Sequence, residues 1–240
     1  MVFFFVNKMI IKLLNKKIYF ILYVGDNMAE MVFKYSAMNG GKTLNILQTV
    51  HSYEENNFKV IIVKSIKDTK GEDTIISRTG MSRKVDILLQ ESESLLTEEN
   101  YKKYYTAKVI LVDEVELLNE KQIKELWMIA HLINIPVLCY GLKSNFKGDL
   151  FSDGVAQLFA ISDHIEEIGS SSLCGCGKKA IFNGRKHNDK FTDIGPEIVI
   201  DDGTKEEYEY VPLCSDCYLK YVKIGSEEAK KLTDLVDKIK

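Results

Sequence analysis

The sequence is poor in proline, glycine and cysteine, and each shortage argues against a class of protein. Three prolines and 15 glycines among 240 residues leave no room for a proline-rich or glycine-rich linker. Five cysteines are too few for a scaffold held together by disulfides. A formal net charge of −3 argues against a chain built as a whole to hold a nucleic-acid backbone. What is present, 45% hydrophobic and 28% charged residues, is the composition of a globular protein.

The first 27 residues form a separate segment, rich in Phe, Ile, Tyr and Leu but interrupted by four lysines. Its longest unbroken apolar stretch, Ile18 to Val24, is far shorter than the ~20 residues of a membrane-spanning helix. Met28 is followed by Ala29 and Glu30, as at an ordinary protein start. We therefore predict that residues 1–27 are an untranslated leader, and a helix lying on a membrane surface is the alternative.

Beyond Met28, short apolar strands alternate with helical patterns. The predicted strands are Met31–Ala37, Val60–Val63, Lys84–Leu89, Val109–Val112 and Val137–Leu142, and the predicted helices are Lys42–Tyr53 and Lys121–His131. The polar stretch from Ser65 to Ser82 is predicted to be a long mobile loop. Strands of nearly continuous Val and Ile, separated by helices, predict an α/β fold with a parallel sheet covered on both faces.

The pattern changes after Gly169, where short strands, a polar segment and paired cysteines begin. We predict three parts after the leader: a nucleotide-binding domain over 28–170, a small metal-organised domain over 171–222, and a helical tail over 223–240. Within the tail, Ser226 to Lys240 has the spacing of an amphipathic helix.

A phosphate-binding loop is predicted between the first strand and the first helix. It comprises Ser36, Ala37, Met38, Asn39, Gly40, Gly41, Lys42 and Thr43. The two glycines let the backbone approach phosphates, and the N-terminus of the helix adds the positive end of its dipole. Lys42 is expected to reach the β- and γ-phosphates of a nucleotide, and the Thr43 hydroxyl to hold Mg²⁺. The alternative is ordinary helix-start chemistry, because a lone Gly-Lys-Thr also occurs by chance.

Two carboxylates follow the predicted strand Val109–Val112. Asp113 and Glu114 are therefore expected at the carboxyl edge of the sheet, where ligands of open α/β sheets bind. Asp113 suits Mg²⁺, which leaves Glu114 to act as a base. The alternative is a solvated acidic turn before a helix.

Four cysteines occur as two close pairs, Cys174 with Cys176 and Cys214 with Cys217. Four thiolates suit tetrahedral Zn²⁺, and a site with no position left open for water is structural. The grouping indicates a reducing compartment and so a cytoplasmic protein. The alternatives are four unrelated thiols or a zinc ribbon that binds nucleic acid, and the acidic segment 189–209 argues against the latter. Cys139, alone in an apolar run, is predicted to be a core thiol.

Residues from Met28 to about Val222 resemble the thymidine kinase family, in its tetrameric, zinc-containing type. The run Tyr35–Thr43 is similar to the bacterial branch, in which Ser also replaces the first Gly of the loop. Other segments match the family in the family's order: Lys67–Thr69, Ser77–Gly80, Ile110–Glu114, Gly141–Phe151 and the two cysteine pairs. The resemblance implies a P-loop, RecA-like parallel sheet flanked by helices, with a small zinc-organised lasso domain.

The resemblance also implies a reaction. The γ-phosphoryl of ATP is transferred to the 5′-hydroxyl of thymidine, with deoxyuridine as a second substrate. Glu114 is implied to be the general base, while Lys42, Thr43 and Asp113 handle the phosphates and Mg²⁺. The implied ATP contacts extend to Val115 and Glu116.

For the nucleoside, the resemblance implies that Phe146 stacks near the thymine and that a lasso between the cysteine pairs closes over it. Val199 and Ile200 are the implied backbone contacts, and Tyr210 is the implied aromatic contact, with Tyr208 as its alternative. The implied assembly is a homotetramer that holds structural zinc, with no nucleic-acid or membrane partner.

Two positions depart from the family pattern. Glu116 stands where the family commonly has Gln, and Lys70 stands where it commonly has Arg.

Two other functions fit parts of the pattern. In a P-loop ATPase, Glu114 would activate water instead of a sugar hydroxyl, and a zinc ribbon would bind its partner without catalysis.

Overall fold

The computed structural model describes residues 2–6, 9–14, 17–21, 28–169, 172–195, 208–224 and 227–239. The strands are β1 Val2–Val6, β2 Met9–Leu14, β3 Lys17–Ile21, β4 Met31–Tyr35, β5 Val60–Ser65, β6 Thr74–Ile76, β7 Ser82–Lys84, β8 Ile87–Leu89, β9 Val109–Asp113, β10 Val137–Gly141, β11 His164–Glu167, β12 Phe182–His187, β13 Lys190–Thr192 and β14 Tyr208–Leu213. The helices are α1 Lys42–Glu54, α2 Glu98–Tyr104, α3 Glu120–Met128, α4 Asp153–Ile161, α5 Ser215–Tyr218 and α6 Glu227–Ile239.

The main sheet has six parallel strands in the order β11-β4-β10-β9-β5-β8. Neighbouring residues of one strand contribute to different hydrophobic clusters. On β9, Val112 packs in one cluster and Leu111 in the other, and on β10 the same holds for Cys139 and Tyr140. Both faces of the sheet are therefore buried, which explains the near-continuous apolar strands and confirms the predicted parallel α/β fold. Cys139 is the buried core thiol that the sequence predicts.

Several elements differ from the sequence prediction. The stretch predicted as a loop, Ser65–Ser82, contains β6, which pairs with β7 in an antiparallel hairpin and buries Ile75. The single strand predicted over Lys84–Leu89 is divided between two sheets. The chain turns at Asp86, whose carboxylate accepts a hydrogen bond from the Ile62 amide at 2.9 Å.

Helices α2 and α4 were not predicted, although both begin at side-chain caps. Thr97 accepts from the Asn100 amide at 3.1 Å, and Ser152 accepts from the Val155 amide at 3.3 Å. Helix α3 ends at Met128, three residues before the end predicted at His131. A π-helical turn, Ile129–Ile133, continues it.

The cysteine-bearing part of the chain forms a second, smaller sheet with the order β13-β12-β14. Short helix α5 packs on it, and Leu213 and Tyr218 are buried there together with Cys174 and Cys214. The predicted domain boundary at residue 170 lies outside the described residues. In the tail, α6 carries exposed Leu232 and Leu235, in agreement with the predicted helix.

The N-terminal segment contains three antiparallel strands, β1 to β3. Its backbone is therefore not helical there, and the alternative of a surface-bound helix is wrong. None of the helices in the described ranges is both long and apolar enough to cross a bilayer.

Candidate active site

The predicted phosphate-binding loop lies between the end of β4 and the start of α1, as expected. The Ser36 amide donates to the Gly141 carbonyl at 3.3 Å, which ties the loop to the end of β10. Gly41 caps α1 with a φ of 80°, a left-handed conformation that favours glycine. A Cβ atom at Gly40 would lie 2.2 Å from the Ser36 hydroxyl oxygen, so the loop closes only with glycine at that position.

The two predicted carboxylates meet this loop at the end of β9. The Thr43 hydroxyl donates to the Asp113 carboxylate at 3.4 Å, and the Glu114 amide donates to the same carboxylate at 3.1 Å. Glu114 has a φ of 45°, a left-handed conformation that is uncommon for residues other than glycine. Such strain is held in place by surrounding structure and is concentrated at functional sites.

The carboxyl groups of Asp113, Glu114 and Glu116 shift one another's pKa values. Burial, together with the neighbouring Glu114 charge, raises the pKa of Asp113 to about 7. Burial alone would raise the pKa of Glu114, but the ammonium groups of Lys42, Lys70 and Lys64 and the interaction with Glu116 together outweigh burial and leave that pKa below its usual value. Burial and the Glu114 charge raise the pKa of Glu116 well above its usual value. The cluster thus combines one carboxyl group whose pKa is lowered, which suits it to act as a base, with a neighbour whose pKa is raised, which favours its protonated form.

A cavity of about 170 Å³ opens beside these carboxyl groups. The predicted residues that line it are Met38, Glu114, Glu116, Phe146 and Tyr210. The structure therefore brings the predicted base and the predicted nucleoside contacts to one place. Tyr208 instead stacks on His187 at 4.9 Å, which favours Tyr210 of the two tyrosines.

Three other predicted residues are not seen at this cavity. The side chain of Val115 is buried in the hydrophobic core, away from solvent. Val199 and Ile200 lie outside the described residues, as does the rest of segment 196–207 of the predicted lasso.

The backbone of Met38 is held by two residues that the sequence did not indicate. The Met38 amide donates to the side-chain oxygen of Asn183 at 2.8 Å, and its carbonyl accepts from the Ser172 hydroxyl at 2.7 Å. Asn183 and Ser172 belong to the cysteine-bearing part of the chain and are more than 130 positions away from Met38 in sequence. The cysteine-bearing part of the chain therefore supports the predicted phosphate-binding loop directly.

The same cysteine-bearing part of the chain also contacts Phe146. Its carbonyl accepts a hydrogen bond from the Tyr218 hydroxyl at 2.8 Å, and its ring packs against the guanidinium of Arg185. Tyr218 lies one position after Cys217, and its amide donates to the Cys214 carbonyl. No local pattern around Tyr218 or Arg185 marks them, because their partner is distant in sequence.

Lys64 organises the loop beside the cavity. Its side chain is fully buried, and its ammonium donates to the carbonyls of Lys70 at 2.6 Å and Glu72 at 3.0 Å. It also forms an ion pair with Asp68 at 3.0 Å, and Asp68 lines the cavity. The segment predicted as mobile is thus anchored at its base.

The four paired cysteines converge as predicted. Their sulfur atoms all lie within 4.8 Å of one another, and those of Cys176 and Cys214 are 3.6 Å apart. A zinc tetrathiolate with bonds of about 2.3 Å has sulfur–sulfur edges of about 3.8 Å. The donor set therefore fits a metal such as zinc. Gly177, at a φ of 85°, closes the turn by donating its amide to the Cys174 carbonyl.

Comparison with known proteins agrees with this site. A family model described as thymidine kinase matches residues 29–218. The thymidine kinase of Francisella tularensis subsp. tularensis is 36% identical over 190 residues, which are 78% of this chain and 95% of that protein. The thymidine kinase of Escherichia coli O157:H7 is 35% identical over 207 residues, 83% of this chain and 95% of that protein. The thymidine kinase of Lactococcus lactis subsp. lactis is 34% identical over 197 residues, which are 80% of this chain and 98% of that protein.

Among solved structures, Bacteroides Pif1 bound to ssDNA aligns with a TM-score of 0.33 and 12% identity. The alignment covers 59% of this chain and 38% of that one, and a likeness this weak carries no functional weight.

Proposed function

The chain belongs to the thymidine kinase family, and we propose that it phosphorylates the 5′-hydroxyl of thymidine with Glu114 as the general base. The observation that supports this most directly is the position of Glu114. It lies between the phosphate-binding loop, whose Lys42 lowers its pKa, and the cavity that it shares with Phe146 and Tyr210.

In the proposed reaction, Glu114 accepts the proton of the 5′-hydroxyl as that oxygen attacks the γ-phosphorus of ATP. The bond from this phosphorus to the bridging oxygen breaks, and ADP leaves. Phosphoryl transfer depends mostly on positioning and charge stabilisation. The ammonium of Lys42 and the loop amides supply positive charge to the phosphates, and the base contributes about 10²- to 10⁴-fold.

Thr43 and Asp113 are the residues that we propose to hold Mg²⁺ with ATP, because hydroxyl and carboxylate oxygens are its preferred ligands. Bound there, Mg²⁺ would neutralise charge on the phosphates. We assign structural zinc to Cys174, Cys176, Cys214 and Cys217, since all four positions of a tetrahedral ion would be filled by thiolate.

We also propose a homotetramer located in the cytoplasm, with deoxyuridine as a second substrate. The resemblance to the zinc-containing type supports the assembly, and reduced thiolate ligands suit a reducing compartment. Sedimentation velocity on the full chain tests the assembly, and a single species of monomer mass would contradict it.

The decisive experiment measures ADP release from ATP with and without nucleoside. We expect release to require thymidine and to match the formation of thymidine 5′-monophosphate one for one. Rapid ADP release without nucleoside would instead identify an ATPase in which Glu114 activates water. Deoxyuridine in place of thymidine tests the second substrate, and adenosine serves as the negative control.

A further inference from the structure

Glu116 is a buried carboxyl group that the proposed chemistry does not use. It follows β9 in a short 3-10 turn, Val115–Leu117, and is 2% exposed at the wall of the cavity. Across the described residues, its Oε2 atom has no hydrogen-bond partner. A buried carboxylate without a donor is costly, so either a ligand or a proton must satisfy this group.

The space around Glu116 is specific. A Cβ atom at position 141 would lie 2.4 Å from its Oε2 atom, so glycine at the end of β10 is what leaves room for the carboxyl group. Its backbone is held in place because the Glu116 carbonyl accepts from the Ser152 hydroxyl at 2.8 Å. The side chain therefore occupies a fitted position and is not free to turn into solvent.

The neighbour of this carboxyl group is the proposed base. The Glu114 and Glu116 carboxyl groups line the same cavity, and each shifts the pKa of the other. Ionised carboxylates only accept hydrogen bonds, so the pair is satisfied only when one member carries a proton. Lys42, from α1, acts on both carboxyl groups, and its charge favours an ionised Glu114, as do the charges of Lys64 from β5 and Lys70 from the loop after it. Glu116 is the more deeply buried of the two, so the proton belongs on it.

The other titratable groups that line the cavity do not replace this arrangement. Asp68, from the loop after β5, is paired with Lys64. Tyr210, from β14, also lines the cavity. The residues that follow β10 carry no charge; they are Ser144, Asn145 and Phe146.

We propose that Glu116 is a positioning residue that works as a neutral carboxylic acid, donating its proton in a hydrogen bond to the Glu114 carboxylate. This inference rests on the proposed role of Glu114 as the base. The hydrogen bond fixes the orientation of Glu114 toward the cavity while leaving it ionised. When Glu116 loses its proton in alkaline solution, the donor disappears and a second negative charge stands beside the base. The kcat then falls.

Two substitutions separate the donor from the charge. Glu116→Gln keeps the shape and a donor but cannot ionise. Glu116→Met keeps the length and has no donor. We expect the Gln variant to retain kcat within about threefold near neutral pH and to lose the alkaline fall of the wild type. We expect the Met variant to lose about 10- to 100-fold in kcat across the pH range. Glu99→Gln, on the exposed surface of α2, is the control for removing one carboxylate, because Glu99 pairs with Lys103 and with no histidine.

The wild-type assay is read first, so that the two proposals fail separately. If the wild type does not phosphorylate thymidine, the proposed function fails. If it does, but the Gln variant loses most of its kcat or keeps the alkaline fall, the neutral-acid role of Glu116 is overturned. A Met variant as active as the Gln variant also overturns it, because no donor would then be needed.

Thermal unfolding gives a second readout that does not depend on activity. A raised folded-state pKa means that the folded chain binds more protons than the unfolded chain, so this contribution to stability is lost as pH rises. Glu116→Gln removes that loss. Its Tm relative to the wild type should therefore rise as the pH is raised above the usual pKa of a carboxyl group, whereas that of Glu99→Gln should not. An unchanged difference would contradict the protonated state.

Discussion

The guanidinium carbon of Arg185 lies 3.6 Å from the centre of the Phe146 ring, and both side chains are buried. Arg185 comes from β12 of the smaller domain, whereas Phe146 lies on the wall of the cavity beside the main sheet. The same guanidinium also lies 4.6 Å from the Tyr208 ring and donates to the Ile194 carbonyl at 2.6 Å. The cation is thus fixed between two aromatic rings and joins the smaller sheet to the wall of the cavity.

Replacing this guanidinium should weaken nucleoside binding. Arg185→Lys keeps the positive charge but loses the planar group that stacks on Phe146, a contact worth about 0.5–2 kcal/mol. We expect the KM for thymidine to rise several-fold, with a smaller change in the KM for ATP. Arg83→Lys is the matched control, because Arg83 forms only surface ion pairs and a local carbonyl contact. Equal KM values in the two variants would show that the stack does not position Phe146.

The Tyr218 hydroxyl offers a smaller and cleaner test of the same support. Tyr218→Phe removes its hydrogen bond to the Phe146 carbonyl and leaves that buried acceptor without this donor. We expect a loss of about 1 kcal/mol in stability, or about 2–4 °C in Tm, and a higher KM for thymidine. Tyr221→Phe is the control, since the exposed Tyr221 ring stacks on Phe191. If both variants have the Tm of the wild type, this hydrogen bond does not contribute to stability.

The proposed base is tested by Glu114→Gln. The amide preserves the shape of the side chain but cannot accept a proton, so kcat should fall by about 10²- to 10⁴-fold. ATP affinity, measured by calorimetry, should change little, because the phosphates are held by the loop and Lys42. Glu120→Gln, on the exposed start of α3, should behave as the wild type. An unchanged kcat would remove Glu114 from the reaction.

Lys42→Ala tests the phosphate-binding loop. Lys42 is a buried cation whose charge acts on Asp113, Glu114 and Glu116. We expect catalysis to fall at least as far as in the Glu114 variant and the fold, read by circular dichroism, to persist. Lys124→Ala, on the surface of α3, controls for loss of a lysine. Normal activity in Lys42→Ala would mean that this loop does not bind phosphates.

Metal content is tested by Cys214→Ser. We expect about one zinc per chain in the wild type and a clear loss in the variant, because a fourth thiolate is missing. Both KM values should rise, since Tyr218 and Arg185 support Phe146 while Asn183 and Ser172 support the loop at Met38. Cys139→Ala, in the core of the main sheet, should keep its zinc. Wild-type protein without metal would refute the site.

Local sequence patterns were sufficient wherever one stretch of chain carries the whole signal. Glycine geometry and a following helix define the phosphate-binding loop, and a buried strand ending in Asp113 and Glu114 defines the edge of the sheet. Paired cysteines likewise specify a metal site by chemistry alone. The missed elements α2, α4 and the β6–β7 hairpin are short, so none of them spans enough residues to show a clear period.

What the sequence by itself determined is therefore the fold class, the glycine-containing loop between β4 and α1, the carboxylates that follow β9 and the four cysteines that cluster. Only the tertiary structure decided which side of each element faces the cavity. It placed Val115 in the core and Glu116 beside the proposed base, and it brought Arg185 and Tyr218 onto Phe146. The physical reason is how far apart in the sequence the interacting residues lie. Backbone geometry and ligand chemistry are encoded by neighbouring residues, whereas the burial and the pKa of a side chain depend on partners that folding brings from distant parts of the chain.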